Sequence, residues 1–150
     1  MPSGDKLSFH GSALAKIVEH VEFKALNRAD RRRYQLNDNV QFSVKYTKKS
    51  GQRYTFGFSA GEVRELASAT RPGDEQFLVL VCGRRGICAL DRDDLLKVLA
   101  LERTSGAQWI EVMAPANKSF RIRGPAGRLD RMIPRNAFPR RLFEVTRDRR

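Results

Sequence analysis

The 150-residue chain carries 29 Lys and Arg against 17 Asp and Glu, a formal net charge of +12. A chain of this length, 41% hydrophobic, buries roughly two-thirds of its unfolded surface, so neither disulfide nor metal is needed to hold it together. No apolar run approaches the ~20 residues of a membrane helix, and Met1 to Phe9 lacks the apolar centre of a signal peptide, so the chain reads as one soluble cytoplasmic domain.

Leu14, Ile17, Val18 and Val21 follow the i, i+3, i+4, i+7 spacing of one helix face, and Ser12 is an N-cap candidate. They predict a helix over about 13–23. Asn27 to Arg33 is a polar, basic lead-in. Tyr34 to Asn37 and Val40 to Thr47 read as a hairpin around Asn37-Asp38-Asn39. Along the second strand Val40, Phe42, Val44 and Tyr46 share one face, with Gln41, Ser43, Lys45 and Thr47 on the other. Lys48-Lys49-Ser50-Gly51 is a basic turn, and Tyr54, Phe56 and Phe58 line a third strand.

Ser59 with Glu62 is a capping-box signature opening a helix to about Ala69, with Val63, Leu66 and Ala67 inward. Phe77 to Val81 is continuously apolar, as in a strand covered on both faces. Gly83-Arg84-Arg85-Gly86 turns the chain into a strand from Ile87 to Leu90. Asp91 is then an N-cap, and Leu95, Leu96 and Leu99 face inward on the next helix. Cys82 and Cys88 sit at the ends of these strands and read as reduced and partly buried, with no further ligands at zinc spacing. Trp109–Met113, Ser119–Arg123 and Arg128–Ile133 suggest a C-terminal β meander, and the proline-rich 134–143 segment lies across the body.

The pattern therefore predicts an α/β protein with a mixed sheet: an α/β core over 11–104, a β-rich extension over 105–143 and a basic tail over 144–150, frayed from Arg147. Phe42, Val44, Tyr54, Phe56, Leu66, Val79, Leu80, Ile87, Leu95 and Leu99 are expected to share one core. Trp109, Phe120 and Phe138 read as core of the meander, with stacking on bases as the alternative.

Charge is unevenly spread. Residues 1–27 sum to zero, 28–53 to +6, 54–117 to −2 and 118–150 to +8. Two basic blocks around a nearly neutral body are the footprint expected for a polyphosphate partner; a generally basic surface is the plainer alternative. Arg31, Arg32, Arg33, Lys45, Lys48, Lys49 and Arg53 are the nucleic-acid-binding candidates of the first block. Arginines after Lys118 form a second edge.

The strand Val40–Tyr46 with Lys48-Lys49 after it, then Tyr54, a helix and Phe77–Val81, resembles in order and spacing the core of the PD-(D/E)xK nuclease superfamily. The nearest likeness is to archaeal Holliday-junction resolvases and Mrr-like restriction endonucleases, over about residues 11–96. The resemblance implies a restriction-endonuclease-like core in which Lys45 matches the motif lysine, Asp30 or Asp38 the strand carboxylate, and Glu19 or Glu22 the helical Glu. Such carboxylates hold Mg²⁺, which activates water and neutralises charge on the scissile phosphate. Ser43 stands where the family has Glu, so the motif lacks one metal-binding charge. The expectation is a nucleic-acid-binding protein, on DNA in the first instance, over a nuclease-like core without an intact catalytic motif. An active Mg²⁺-dependent endonuclease with an atypical motif, and a protein-interaction module of a defence, plasmid or phage system, are the alternatives. No membrane partner is implied, and a homodimer is left open.

Overall fold

The structure, a computed structural model, describes residues 11–28, 33–47, 51–68, 75–102 and 106–148. These residues form a mixed α+β architecture with two sheets and four α-helices. Helix α1 (11–18) leads into β1 (Leu26–Arg28), β2 (Tyr34–Leu36) and β3 (Val40–Thr47). Strand β4 (Arg53–Phe58), α2 (Ala60–Ala67), β5 (Glu75–Cys82), β6 (Gly86–Asp91) and α3 (Arg92–Val98) follow. The C-terminal part holds β7 (Gln108–Met113), β8 (Arg121–Gly124), β9 (Gly127–Arg128), a 3₁₀ turn (Arg135–Ala137) and α4 (Arg140–Asp148).

The first sheet has the order β1-β2-β3-β5-β6, antiparallel throughout except for the parallel β3–β5 pair. The second has the order β4-β7-β8-β9 and is wholly antiparallel. Of the predicted meander, β7 and β8 are present, but the third strand expected over Arg128–Ile133 shrinks to Gly127–Arg128 with an isolated bridge from Ile133 to Phe120, and β4 pairs along its full length with β7. The expected α/β core and C-terminal extension therefore share a sheet.

Strand β5 has seven consecutive buried residues, Gln76 to Cys82, because both of its faces are covered. Phe77, Val79 and Val81 face a core completed by Ile17, Phe42, Leu142 and Phe143. Leu78, Leu80 and Cys82 face another, shared with Tyr54, Phe56, Leu66, Leu95, Ile110 and Phe120. The residues expected in one core are thus divided between two. Alternation along β5 sends neighbouring side chains to opposite sides of the sheet, and Phe42, Val79 and Ile87 separate from Leu80, Tyr54 and Leu95.

Three local expectations also change. Helix α1 ends at residue 18, and the chain turns so that the His20 ring stacks on Phe143 at 4.1 Å between centroids. Val21 then lies outside the helical stripe, 94% exposed. In α3 the buried positions are Leu95 and Val98, with Leu99 at the C-cap, while Leu96 is half exposed. The C-terminal segment expected to fray from Arg147 is helical through Asp148.

Two of the three predicted helix starts are capped as expected, whereas Ser12, the cap candidate of the first helix, lies inside α1, which is already helical at residue 11. Ser59 and Glu62 form a complete capping box on α2, and Asp91 and Asp94 form another on α3. Arginines brace the helix ends. Arg92 donates to the Leu66 and Ala67 carbonyls and to Gln76 Oε1, satisfying acceptors that α2 leaves at its C-terminus. Arg141, on α4, reaches Asp91 Oδ2 and Asp94 Oδ2 at 2.7 Å each and the Ala89 carbonyl, tying α4 to β6 and α3. Asp94 is 3% exposed, and its two oxygens are held by different arginines, Oδ2 by Arg141 and Oδ1 by Arg131 at 3.2 Å, so the buried carboxylate is doubly compensated. No helix among the described residues is long and apolar enough to cross a membrane.

Leu80 is fully buried between the two sheets. Leu80→Ala is expected to lower stability by about 2–5 kcal/mol through lost methyl burial and the cavity left behind. Chemical denaturation of the two proteins measures this; an unchanged midpoint would contradict the packing.

Candidate functional site

The second sheet has one buried and one open face. Strand β4 alternates strictly, with Tyr54, Phe56 and Phe58 inward and Arg53, Thr55 and Gly57 exposed. On β7, Ile110 and Val112 are buried, leaving Trp109, Glu111 and Met113 on the outward face; on β8, Ile122 is buried between Arg121 and Arg123. Register aligns these outward rows. Arg53 lies opposite Met113, which lies opposite Arg121; Thr55 lies opposite Glu111, which lies opposite Arg123; Arg123 lies opposite Arg128. From β4 to β9 is three strand spacings, about 14 Å, and arginines stand along that whole width.

A shallow groove on this face is bordered by Arg53, Arg121, Arg123, Arg128 and Arg131, against the acids Glu111 and Asp130. Glu111 Oε1 sits 2.6 Å from Arg123 Nε and its Oε2 sits 3.5 Å from Arg53 Nε. This one carboxylate steadies two guanidinium groups, and its hydrogen bond and charge raise the Arg123 pKa. Arg121 and Arg128 have no ion pair among the described residues and remain uncompensated positive charges. The Arg123 guanidinium also lies 5.6 Å from the centroid of the Trp109 ring.

Gly124 lets β8 come close enough to hold this arrangement. A methyl at that position would stand 2.3 Å from the Val98 carbonyl oxygen and 3.0 Å from that of Trp109. The turn after it is pinned under α3, with the Ala126 amide donating to the Val98 carbonyl at 3.0 Å.

The sequence-derived candidates are distributed more widely. Arg53 belongs to the open face just described. Lys45 does not: it lies on the inter-sheet side of β3, its Nζ 2.6 Å from Glu62 Oε2 and 4.5 Å from the centroid of the Phe58 ring. Ser43 borders a small recess with Arg33, Gln41 and Gln76. Arg33 donates to the Glu65 carbonyl. Asp38 is exposed in the turn before β3, whereas Lys45 is five residues past Val40, roughly 17 Å along the strand. Glu19 is exposed just after α1, which packs through Ala13 and Ile17 on the face of the first sheet opposite to Lys45. The structure therefore does not bring Asp38 or Glu19 to Lys45; the carboxylate it places there is Glu62, already used in the α2 cap. Asp30, Arg31, Arg32, Lys48 and Lys49 lie outside the described residues.

The arginines after Lys118, a single basic edge in the sequence, fall into distinct groups in the structure. Arg135 and Arg141 hold backbone carbonyls or buried acids. Arg140 pairs with Glu144. Arg121, Arg123 and Arg128 point outward from the sheet. The signal available in the sequence was the alternation Arg121-Ile122-Arg123. Trp109, read as a core residue, is 37% exposed on the same face, whereas Phe120 and Phe138 are buried.

Other chemistry finds less support. Among the described residues no three His, Cys, Asp or Glu side chains gather as a metal site would require. Cys82 and Cys88 are free and buried. Burial pushes the Cys82 thiol up to about 12, with Arg135 pulling weakly the other way. Burial likewise raises Cys88 well above its ordinary value. Comparisons with protein families, with curated proteins and with solved structures give no match to this chain.

Because the thiolate is the reactive form, neither cysteine is expected to behave as a nucleophile near neutral pH. Titration with an aromatic disulfide reagent at pH 8 should show no prompt reaction in the native protein and two thiols in denaturant. Prompt native reaction of either thiol would contradict this burial.

Proposed function

We propose that this protein binds nucleic acid through the outward face of β4-β7-β8-β9, with Arg53, Arg121, Arg123 and Arg128 contacting phosphates. The observation that carries this reading is the convergence of arginines from two distant basic blocks onto one exposed sheet face. Arg53 comes from the first block; Arg121, Arg123 and Arg128 come from the second. Like charges gathered on one face repel one another, a polyanion would relieve that repulsion, and arginine's planar fork suits phosphate oxygens. The strongest function supported is binding. Cleavage at Lys45 would need metal-holding carboxylates beside it, and the described one, Glu62, is committed to Lys45 and to the helix cap.

Arginine contacts to the backbone predict sequence-tolerant association, in the micromolar range at low salt and steeply salt-dependent through counterion release. Four phosphate contacts correspond to a log–log salt slope of about −2.8 to −3.6, or a loss of roughly 50- to 150-fold in affinity between 50 and 200 mM salt. Removing Arg121 and Arg128 together (both to Ala) should make the slope shallower by about 1.4–1.8. Arg84→Ala, in the β5–β6 turn of the first sheet and not on the outward face of the second, should leave it unchanged. Anisotropy titrations of a labelled oligonucleotide at several salt concentrations measure all three. Absence of binding at low salt, or a double variant with the parent slope, would contradict the proposal.

A further inference from the structure

We propose that Trp109 is a stacking platform for an unpaired base, so that the arginine face takes a single strand of nucleic acid in preference to a duplex. The inference rests on the nucleic-acid reading of the same face and goes beyond it, because phosphate contacts alone do not distinguish the two forms. Trp109 is the only tryptophan in the chain. An indole offers a large apolar surface that folding ordinarily buries, yet this one stands on the open side of the sheet while Ile110 beside it is buried.

The surroundings of the ring are arranged as a ligand would need. On the β4 side, register places Gly57 directly opposite Trp109. A side chain built on Gly57 would meet no atom within 4 Å, so the space beside the indole is open. Glycine inside a strand forfeits packing, and one of its recurring uses is to admit a ligand close to the sheet. On the β8 side Arg123 approaches the ring, and Glu111 anchors its guanidinium at 2.6 Å. Because the Arg123 guanidinium lies over the ring, a base would stack on the indole's other face, and the strand running on from it would pass Arg128 and then Arg121 and Arg53, which stand level with Met113, about 13 Å along β7. The bases of a duplex are already stacked on one another, and their faces cannot reach a ring lying on a sheet. An unpaired base can, whatever its identity, because every base has a π-face.

Because Trp109 is the only tryptophan, intrinsic fluorescence reports on it directly. The full chain is titrated with oligo(dT), with oligo(U), with a DNA duplex of equal length, and with inorganic polyphosphate as a polyanion that has no bases. Saturable quenching is expected with a single strand of either sugar, and little or none with duplex or polyphosphate. In anisotropy titrations, Trp109→Ala should weaken binding of the labelled single strand by about 5- to 150-fold and Trp109→Phe by much less. Duplex binding should change little in either variant. If single strands bind without quenching, or if polyphosphate quenches as strongly, stacking is overturned while the nucleic-acid reading stands. If no nucleic acid binds at low salt, both fall. The quenching experiment uses the parent protein, so its result holds even if Trp109→Ala is poorly folded.

Discussion

Burial of β5 on both faces is the constraint on which the rest of the molecule depends. A strand with apolar side chains on both sides needs a layer above and a layer below. Helices α1 and α4 supply one layer, through Ile17, Leu142 and Phe143. The β4-β7-β8-β9 sheet supplies the other, through Tyr54, Phe56, Ile110 and Val112. Once the second sheet is spent covering β5 with its inner face, its outer face is left to water. The alternation of a strand then delivers every second residue of β4, β7 and β8 to that surface. The arginine face is in this sense a consequence of how the core is closed.

The basic residues divide by what their partners demand. Arg92, Arg135 and Arg141 reach carbonyl groups that a helix end, a turn and the edge strand β6 leave without donors, and Arg141 also pairs with Asp91 and Asp94. A guanidinium suits these places because it carries several donors in one plane and stays charged when partly buried. Arg121 and Arg128 have no such task among the described residues, and Arg53 and Arg123 share a single carboxylate. Net charge alone makes no distinction between a brace and a contact residue. The distinction matters for function, because only the outward set can give up counterions when a polyanion arrives.

Much of the local architecture was legible in the residues. The apolar run Phe77–Val81, the clean alternation Val40–Thr47 and the capping pairs at Ser59 and Asp91 each state a local preference that tertiary contacts then reinforced. The failures occurred where local pattern was extended past a turn or around a helix. Val21 continues a helical spacing, but His20 is drawn onto Phe143, more than a hundred residues away, and the helix has already ended. Leu96 is as apolar as Leu95, but only one side of α3 meets the core.

By itself the sequence determined which stretches alternate, which are apolar throughout and where α2 and α3 begin, because these depend on side-chain order and on hydrogen bonds between near neighbours; α4, which packs by contacts distant in the chain, carried no such local mark. It also determined that positive charge comes in two blocks. Only the tertiary structure decided that β4 leaves β3 to pair with β7, since strand pairing is a contact between distant segments and carries no local mark. That pairing sets Arg53 beside Arg121, turns Trp109 outward opposite Gly57, and leaves Lys45 on the other side of the molecule's interior against Glu62. A side chain's role follows from the face it is given, and the face is assigned by the partner strand.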